Sequence, residues 1–367
     1  MKYSSIYVAA TSQHVGKTTS TLGLVSAFIK KGINVGYSKP VGQRFVDVQN
    51  LKVDKDALLF STVMHFELNS EIHSPVILGS GATAAYLDDP QGFDYENKII
   101  HAAAYMEENY DIVVYEGTGH PGVGSIVDLS NADVAKLVNA GVVMVVEGGI
   151  GSTIDMLSLC LAKFQQKNVP IIGVIINKTL EDKIDKVKHY VGIKLKEYGI
   201  PLLGVIPYDK SLAYPTMKSV IEATRGVVEY NEDMLDNKVE DILAGSLIDL
   251  NELKSSKDLL LVVSALRVDA AIQKIKLISR MFHLKESPLS GIVATGLGEI
   301  SEDSIAYVQE HNIPFVRTSL DTYGSVVKIS KIEVKINQRT PWKVDRAIEL
   351  IEQNIDLDYI LTQTKKQ

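Results

Sequence analysis

Gly16-Lys17-Thr18 is the group of neighbouring residues whose chemistry can be inferred most directly from this sequence. An apolar run typical of a strand precedes it, and a stretch with the pattern of a helix follows. In that context, N–H groups of the loop and of the helix N-terminus bind phosphate oxygens, a lysine reaches the outer phosphates, and a hydroxyl coordinates Mg²⁺. We therefore predict that a nucleotide contacts Gln13, His14, Val15, Gly16, Lys17, Thr18 and Thr19.

The loop departs from the usual phosphate-binding pattern at its leading position. Ala10 stands six positions before Gly16, where a glycine is expected. An alanine costs little there if its φ is negative. His14, inside the loop, is expected to face solvent rather than to act as a base. The order of strand, loop and helix favours nucleotide binding over an accidental match.

Three segments beyond the loop resemble motifs of the dethiobiotin synthetase family. Ser38-Lys39-Pro40-Val41 is similar to the family's K-P-V, Asp56-Ala57-Leu58 to its D-A-L, and Glu116-Gly117-Thr118-Gly119 to its E-G-A-G. The resemblance implies that Lys39 contacts the transferred phosphoryl group and the carbamate of the substrate. It also implies that Asp56 and Glu116 are magnesium ligands, together with Thr18.

Two further residues extend the resemblance to about residue 210. Asn177, which closes an apolar run, is similar to the asparagine that recognises adenine in this family. Pro207, after Gly204-Val205-Ile206, resembles the family's I-P turn, which contacts adenine. The resemblance therefore implies that ATP and Mg²⁺ are the cofactors, with Asn177 and Pro207 on the adenine.

The residue types agree with these roles on chemical grounds. Mg²⁺ takes oxygen ligands and usually keeps several waters, so one hydroxyl and two carboxylates beside a triphosphate are a suitable set. A lysine that ends a buried strand needs an anion beside it. We predict that Lys39 is catalytic like Lys17, with a structural salt bridge as its alternative. A solvated helix start is the alternative for Asp56, because it would explain Asp54 as well.

The acceptor side departs from the family in two places. Gly42-Gln43-Arg44 follows the K-P-V motif where small polar residues are expected for a diaminopelargonate site, and His120-Pro121-Gly122 follows the E-G-A-G motif. A lone loop histidine is more often a bystander than a catalyst, and we expect this of His120. The acceptor therefore stays open as an unidentified small-molecule carboxylate or amine.

The elements that must position these residues follow from the hydrophobic pattern. Short β-branched apolar runs alternate with helical stretches, which predicts an α/β fold with a parallel P-loop sheet and flanking helices. The predicted strands are 5–10, 34–38, 111–115, 142–147, 170–176 and 202–206, and the predicted helices are 17–31, 131–140, 152–166 and 181–198. The candidate residues then fall at the carboxyl ends of strands, where ligands bind in such sheets.

A smaller alternation of strands and helices follows and predicts a second, smaller α/β domain. Because the segment 226–236 is acidic and poor in structural signals, we place the boundary there, with domains 1–228 and 229–367. The predicted strands are 259–264, 289–294 and 313–316, and the predicted helices are 268–282, 301–311, 321–330 and 341–354.

Residues of about 230–335 resemble the DRTGG domain, which in long phosphotransacetylases lies between the synthetase-like and catalytic parts. The segments that carry the resemblance are 238–245, 294–297, 313–318 and 321–323. Where the family has glycine-aspartate-arginine, this chain has Ala265-Leu266-Arg267. We expect no acetyltransferase domain in this chain. We favour a packing or dimerisation module over a ligand cleft built by Thr295-Gly296 and Asp321-Thr322.

Composition narrows the class of protein. The 367 residues are 46% hydrophobic and 23% charged, with a net charge of −7, which is typical of a globular chain that does not bind nucleic acid. The longest apolar runs are too short to cross a membrane, and no secretion signal is recognisable. The single cysteine, Cys160, excludes an intrachain disulfide. We predict a cytoplasmic protein, and the resemblance implies a homodimer.

The sequence features bear on four candidate functions. The first is an ATP- and Mg²⁺-dependent enzyme that phosphorylates a carbamate or carboxylate. The second is a nucleotide-sensing regulator related to the N-terminal module of phosphotransacetylases. A ParA-like scaffold ATPase is disfavoured because Ser12 replaces its signature lysine. An amide ligase of the cobyrinate type is disfavoured because it needs a nucleophilic cysteine, and Cys160 lies in an apolar helix.

Overall fold

A six-stranded parallel sheet brings the candidate residues together. The structure is a computed structural model that describes residues 3–48, 51–245, 257–281, 283–332 and 334–364. Its first strands are β1 (Ser5–Ala10), β2 (Val35–Ser38), β3 (Val41–Gly42), β4 (Phe45–Val48), β5 (Leu51–Asp54), β6 (Val76–Ile77), β7 (Ile112–Glu116), β8 (Gly141–Glu147), β9 (Ile171–Thr179) and β10 (Leu202–Pro207). The main sheet has the order β10-β9-β8-β1-β7-β2, while β3 pairs with β6 and β4 pairs with β5.

The helices connect these strands and cover both faces of the sheet, which explains why its strands are almost wholly apolar. They are α1 (Lys17–Lys30), α2 (Lys55–Met64), α3 (Ser70–His73), α4 (Ala82–Asp88), α5 (Tyr95–Asn109), α6 (Asn131–Leu137), α7 (Gly151–Gln166) and α8 (Ile184–Glu197). All six predicted strands and four predicted helices of this half are confirmed, with ends that shift by up to three residues. The elements between β2 and β7 had no sequence prediction.

The second sheet is separate and has its own core. Its strands are β11 (Val227–Tyr230), β12 (Asp241–Ala244), β13 (Leu259–Ser264), β14 (Leu289–Thr295) and β15 (Phe315–Thr318), in the order β11-β15-β14-β13-β12. Only β11 is antiparallel to its neighbour. The helices of this unit are α9 (Met217–Thr224), α10 (Val268–Met281), α11 (Glu302–Glu310) and α12 (Thr322–Ser330). The α/β class of the second half is therefore confirmed.

The chain ends with α13 (Pro341–Asn354) and α14 (Leu357–Thr362), and both helices belong to the first unit. That unit consists of residues 1–209 and 336–367, and the second unit consists of 210–335. This division differs from the boundary at 228/229, which assigned the final helix to the second domain. The physical reason is that α13 packs along α1, where Ile351 lies against Gly23. No helix in the described ranges is long and apolar enough to span a membrane.

The contact between α1 and α13 leads to a prediction about Gly23. A Cβ at Gly23 would overlap Ile351, so we expect Gly23→Ala to lower the free energy of unfolding by about 1–3 kcal/mol despite the better helix propensity of alanine. The fluorescence of Trp342, the only tryptophan, reports unfolding from α13 itself. The matched control is Gly192→Ala in α8, because a Cβ there meets only Leu202, at 3.9 Å. If both substitutions stabilised the protein alike, this packing would be contradicted.

Candidate functional site

The phosphate loop joins β1 to α1 and turns at a glycine where a side chain would be strained. Gly16 is the N-cap of α1 and has a φ of 101°, in the region that favours glycine. A Cβ there would also overlap the amide of Asn177. Ala10, by contrast, is not among the residues with positive φ, so the missing leading glycine costs the loop little. His14 is exposed, as expected.

Lys17 and Thr18 point to the loop that follows β7. The Nζ of Lys17 donates to the carbonyl of Gly119 at 2.7 Å and to that of Ser12 at 3.4 Å. The Oγ1 of Thr18 donates to Glu116 Oε1 at 2.9 Å. Because β1 and β7 are neighbours in the sheet, the phosphate loop and Glu116 lie at the same edge.

Lys39 lies among three carboxylates at that edge. It follows β2, which pairs with β7, and its Nζ contacts the carboxylate of Asp56. Its Nζ also lies 3.6 Å from Glu116 Oε1 and 3.7 Å from Asp54 Oδ1. The structure therefore brings together the predicted residues Lys39, Asp56 and Glu116, although Lys39 and Glu116 are 77 positions apart in the sequence.

Asp54 also belongs to this cluster, although the sequence analysis gave it no role beyond the start of a helix. It caps α2 by accepting from the N–H of Asp56 at 2.9 Å, which is the helix-start role that the sequence suggested. It is nevertheless only 3% exposed, and it faces Lys39 as well. The signal that could have indicated the second role is the spacing, since the N-cap and the second residue of a helix point their side chains to the same end.

Burial and opposite charge shift the pKa values of this cluster. Burial acts to lower the pKa of Lys39, but the carboxylates of Asp56, Glu116 and Asp54 together raise it above its ordinary value. Burial raises the pKa of Glu116 to about 7, against the opposing effect of Lys39. Burial likewise raises the pKa of Asp54. One ammonium group faces three carboxylates, so the cluster holds more negative than positive charge.

This donor set fits Mg²⁺ by its chemistry. The side chains that surround Lys39 and Thr18 supply only oxygen atoms, which are the ligands of a hard divalent cation, and their excess negative charge would favour one. In the described part of the chain, no three histidine, cysteine, aspartate or glutamate side chains are arranged to hold a metal by themselves. Thr18, Asp56 and Glu116 as magnesium ligands therefore stay a prediction.

The two residues predicted to contact adenine lie on the other side of β1. Asn177 does not close its strand as expected, because β9 continues to Thr179. Its Nδ2 donates to the carbonyl of Val15 at 2.8 Å, and its Oδ1 accepts from the N–H of Lys178 at 2.8 Å. Pro207 ends β10 and pairs in register with Thr179. Both residues thus lie at the end of neighbouring strands, and Asn177 supports the phosphate loop directly.

Asn131 holds the loop after β7 and was missed by the sequence analysis. Its Nδ2 donates to the carbonyls of Thr118 at 2.8 Å and His120 at 2.7 Å, and its Oδ1 accepts from the N–H of Thr118 at 2.9 Å. The hydroxyl of Tyr7 donates to the same Oδ1 at 2.8 Å. Nothing in the local pattern distinguishes Asn131 from an ordinary first residue of a helix. The side chain of His120 is exposed, consistent with a bystander.

Cys160 is buried in α7, as expected, and burial raises the pKa of its thiol to about 11. Since alkylation needs the thiolate, we expect iodoacetamide at about pH 8 to modify the folded protein on the order of 100-fold more slowly than an unperturbed cysteine. Concentrated guanidinium chloride should restore the ordinary rate. Fast modification of the folded chain would contradict the burial of this thiol.

In the second unit, two of the residues considered for a ligand cleft do come together. Thr295 Oγ1 lies 3.1 Å from Thr322 Oγ1, at the carboxyl end of β14. Asp321 caps α12 by accepting from the N–H of Gly324 at 2.6 Å. These hydroxyl and carboxylate groups are engaged in local structure, and the packing or dimerisation role of this unit stays a prediction.

The parallel sheet, the glycine turn into α1 and the lysine with its carboxylates define a P-loop nucleoside triphosphatase of the dethiobiotin synthetase-like type. The family model AAA_26, described as an AAA domain, matches residues 4–216. The chain belongs to this family. The match ends near the start of the second unit, so the resemblance of that unit to the DRTGG domain stays a prediction.

Three relatives illustrate the similarity. A phosphate acetyltransferase of Synechocystis is 22% identical over 99% of this chain and 52% of its own length. An ATP-dependent dethiobiotin synthetase of Clostridium kluyveri is 28% identical over 48% of this chain and 75% of its own length. A probable cobyric acid synthase of Methanosphaera stadtmanae is 27% identical over 61% of this chain and 48% of its own length. The chain spans about half the length of two of the phosphate acetyltransferases that it matches.

Proposed function

We propose that this protein is an ATP- and Mg²⁺-dependent enzyme that transfers the terminal phosphoryl group of ATP to an oxygen of a carboxylate or carbamate. The observation that supports the proposal is a continuous network across the edge of the sheet. Thr18 of the phosphate loop bonds Glu116, and Glu116 faces Lys39. The phosphate loop and the lysine of the acceptor side are thus joined through one carboxylate.

In this reaction the acceptor oxygen forms a bond to the terminal phosphorus as the bond to the leaving ADP oxygen breaks. Such transfer depends on positioning and on neutralising charge, so it needs no protein nucleophile. Lys17 and Lys39 would bind the phosphoryl oxygens, with Lys39 also on the acceptor. Thr18, Asp56 and Glu116 would hold Mg²⁺, which neutralises phosphate charge when bound. Asn177 and Pro207 would contact the adenine.

The experiment that tests the proposal measures ADP release from Mg-ATP and bicarbonate, with and without 7,8-diaminopelargonate. Release that depends on the diamine would identify the acceptor class of the dethiobiotin synthetases. Release without the diamine would point to another acceptor. If the protein bound Mg-ATP but released no ADP with either, phosphoryl transfer to these acceptors would be rejected.

Removal of the Glu116 charge should weaken metal-dependent binding. Glu116→Gln keeps an oxygen that can accept from Thr18 but removes a charge that would hold Mg²⁺, so we expect the Mg²⁺ concentration for half-maximal ATP binding to rise at least about 10-fold. Calorimetric titration of ATP at several Mg²⁺ concentrations measures this. Glu107→Gln is the control, because Glu107 is exposed and bonds only Ser4 among the described contacts. An identical metal dependence in all three proteins would argue against a ligand role.

A nucleotide-sensing regulator is the second candidate. It is favoured by the match of 99% of this chain to about half of a phosphate acetyltransferase. This function predicts tight Mg-ATP binding with no turnover and a change of stability or assembly on binding. The ADP assay therefore separates the two candidates.

A further inference from the structure

Lys178 adopts a backbone conformation that lysine rarely takes. Its φ is 57°, in the left-handed region, although it lies within the last residues of β9. Such strain in a residue other than glycine persists when the surroundings require it, and it is concentrated at functional sites. Here the side chain reaches the phosphate loop, where its Nζ donates to the carbonyl of His14 at 2.6 Å.

The next carbonyl of the loop is held in the same way. The Nδ2 of Asn177 donates to the carbonyl of Val15 at 2.8 Å. Two successive loop carbonyls are therefore held by two successive residues at the end of β9. The bond of Lys178 is charge-assisted and lies at the surface, whereas the bond of Asn177 is neutral and buried.

Peptide planarity gives these two bonds a consequence for the N–H groups. In a trans peptide the C=O of one residue and the N–H of the next point in opposite directions. When the carbonyls of His14 and Val15 point to β9, the N–H groups of Val15 and Gly16 point away from it. Among the described hydrogen bonds, neither of these two N–H groups has a partner. Successive N–H groups with a common direction form an anion-binding concavity.

We propose that Lys178 is a positioning residue for the phosphate loop: it holds the His14 carbonyl so that the adjoining N–H groups are directed to the phosphates. This inference rests on the proposed nucleotide binding and adds a role outside the predicted contact residues. Because Lys178 acts on the loop rather than on the base, its contribution is the same for any polyphosphate ligand.

The test compares Lys178→Asn with Lys178→Arg in the full chain. Asparagine tolerates a positive φ but is too short to reach His14, whereas arginine retains a cationic donor. Lys186→Met is the control, because Lys186 is an exposed lysine of α8. Calorimetry measures the affinity for Mg-ATP, Mg-GTP and inorganic tripolyphosphate, and Trp342 fluorescence verifies that each variant is folded.

We expect Lys178→Asn to weaken every ligand that wild type binds by a common factor of about 10, which corresponds to about 1.4 kcal/mol. Lys178→Arg should recover part of the loss, and Lys186→Met should bind as wild type does. A loss for Mg-ATP without an equal loss for tripolyphosphate would overturn the inference, since Lys178 would then act on the nucleoside. If Lys178→Asn bound the ligands as tightly as wild type, the role of Lys178 would be overturned and the proposed function would stand. If the wild-type chain bound none of the three ligands, the proposed function would be overturned as well.

Discussion

Substitution of Lys39 by methionine should lower the free energy of unfolding by about 3–5 kcal/mol at about pH 8 and abolish any ATP turnover. Lys39 is 6% exposed and is the cation that the structure places among Asp54, Asp56 and Glu116. Methionine has a similar volume but leaves three carboxylates that repel one another in a buried site. The unfolding midpoint in urea, followed by the fluorescence of Trp342, measures the stability.

The loss of unfolding free energy caused by Lys39→Met should be smaller at low pH than at high pH. The pKa of Glu116 is about 7 in the folded protein, above its ordinary value, so its burial costs stability that grows as the pH rises towards 7. Lys39 lowers that pKa, and its removal extends the penalty to higher pH. The variant should therefore lie closer to wild type at about pH 5 than at about pH 8. A deficit of the same size at both pH values would mean that the loss reflects packing rather than charge.

A second substitution and a control separate charge from packing. Asp54→Asn added to Lys39→Met should restore part of the stability, because it removes one of the carboxylates that have lost their counterion. Lys30→Met removes an exposed ion pair with Glu352 and should change stability by less than about 1 kcal/mol. Full stability of Lys39→Met alone would refute the ion cluster as the structure shows it.

Substitution of Lys17 by alanine should weaken Mg-ATP binding on the order of 100-fold and remove ATP turnover. Hydrogen bonds to charged groups contribute about 1.5–3 kcal/mol each, and this lysine, the first residue of α1, is predicted to contact the outer phosphates. The fold should persist, since the described hydrogen bonds of Lys17 go to the loop carbonyls of Gly119 and Ser12 and not to the core of the sheet. Calorimetric titration of Mg-ATP measures the affinity.

Lys31→Ala is the matched control for Lys17→Ala. Lys31 follows the other end of α1 and pairs with the exposed Asp358, so its removal should leave ATP affinity unchanged. Tight Mg-ATP binding and turnover by Lys17→Ala would disprove the assignment of the phosphate loop. Equal losses of Mg-ATP affinity in both variants would mean that the substitutions disturb α1 in general.

Much of the fold was determined by local pattern. All six strands of the first sheet and three of the second, β13, β14 and β15, could be predicted because buried parallel strands are continuous apolar runs, which can be recognised without knowledge of their partners. The partly exposed strands β11 and β12 were not predicted. The phosphate loop belongs to the same class, since strand, glycine turn and helix are contiguous in sequence. Lys39, Glu116 and Asn177 could be selected because they follow or end such runs.

The structure decided what depends on partners distant in the chain. Asn131 and Asp54 act through residues whose proximity follows from strand order, which no local pattern contains. Lys178 is similar, because its role appears only when the end of β9 lies beside the phosphate loop.

The division of the chain into two units also depends on contacts between distant residues, which local patterns do not contain. The final helix was recognised as a helix from its amphipathic pattern, but its partner could not be. It packs on α1 because Gly23 leaves room for Ile351, a fit between residues 328 positions apart. Periodicity specifies which face of a helix is buried, whereas only the packed chain specifies what buries it. The sequence by itself thus determined the class of fold and the position of the phosphate loop, and the tertiary structure determined the ion cluster, the supports of the loop and the unit to which the last helix belongs.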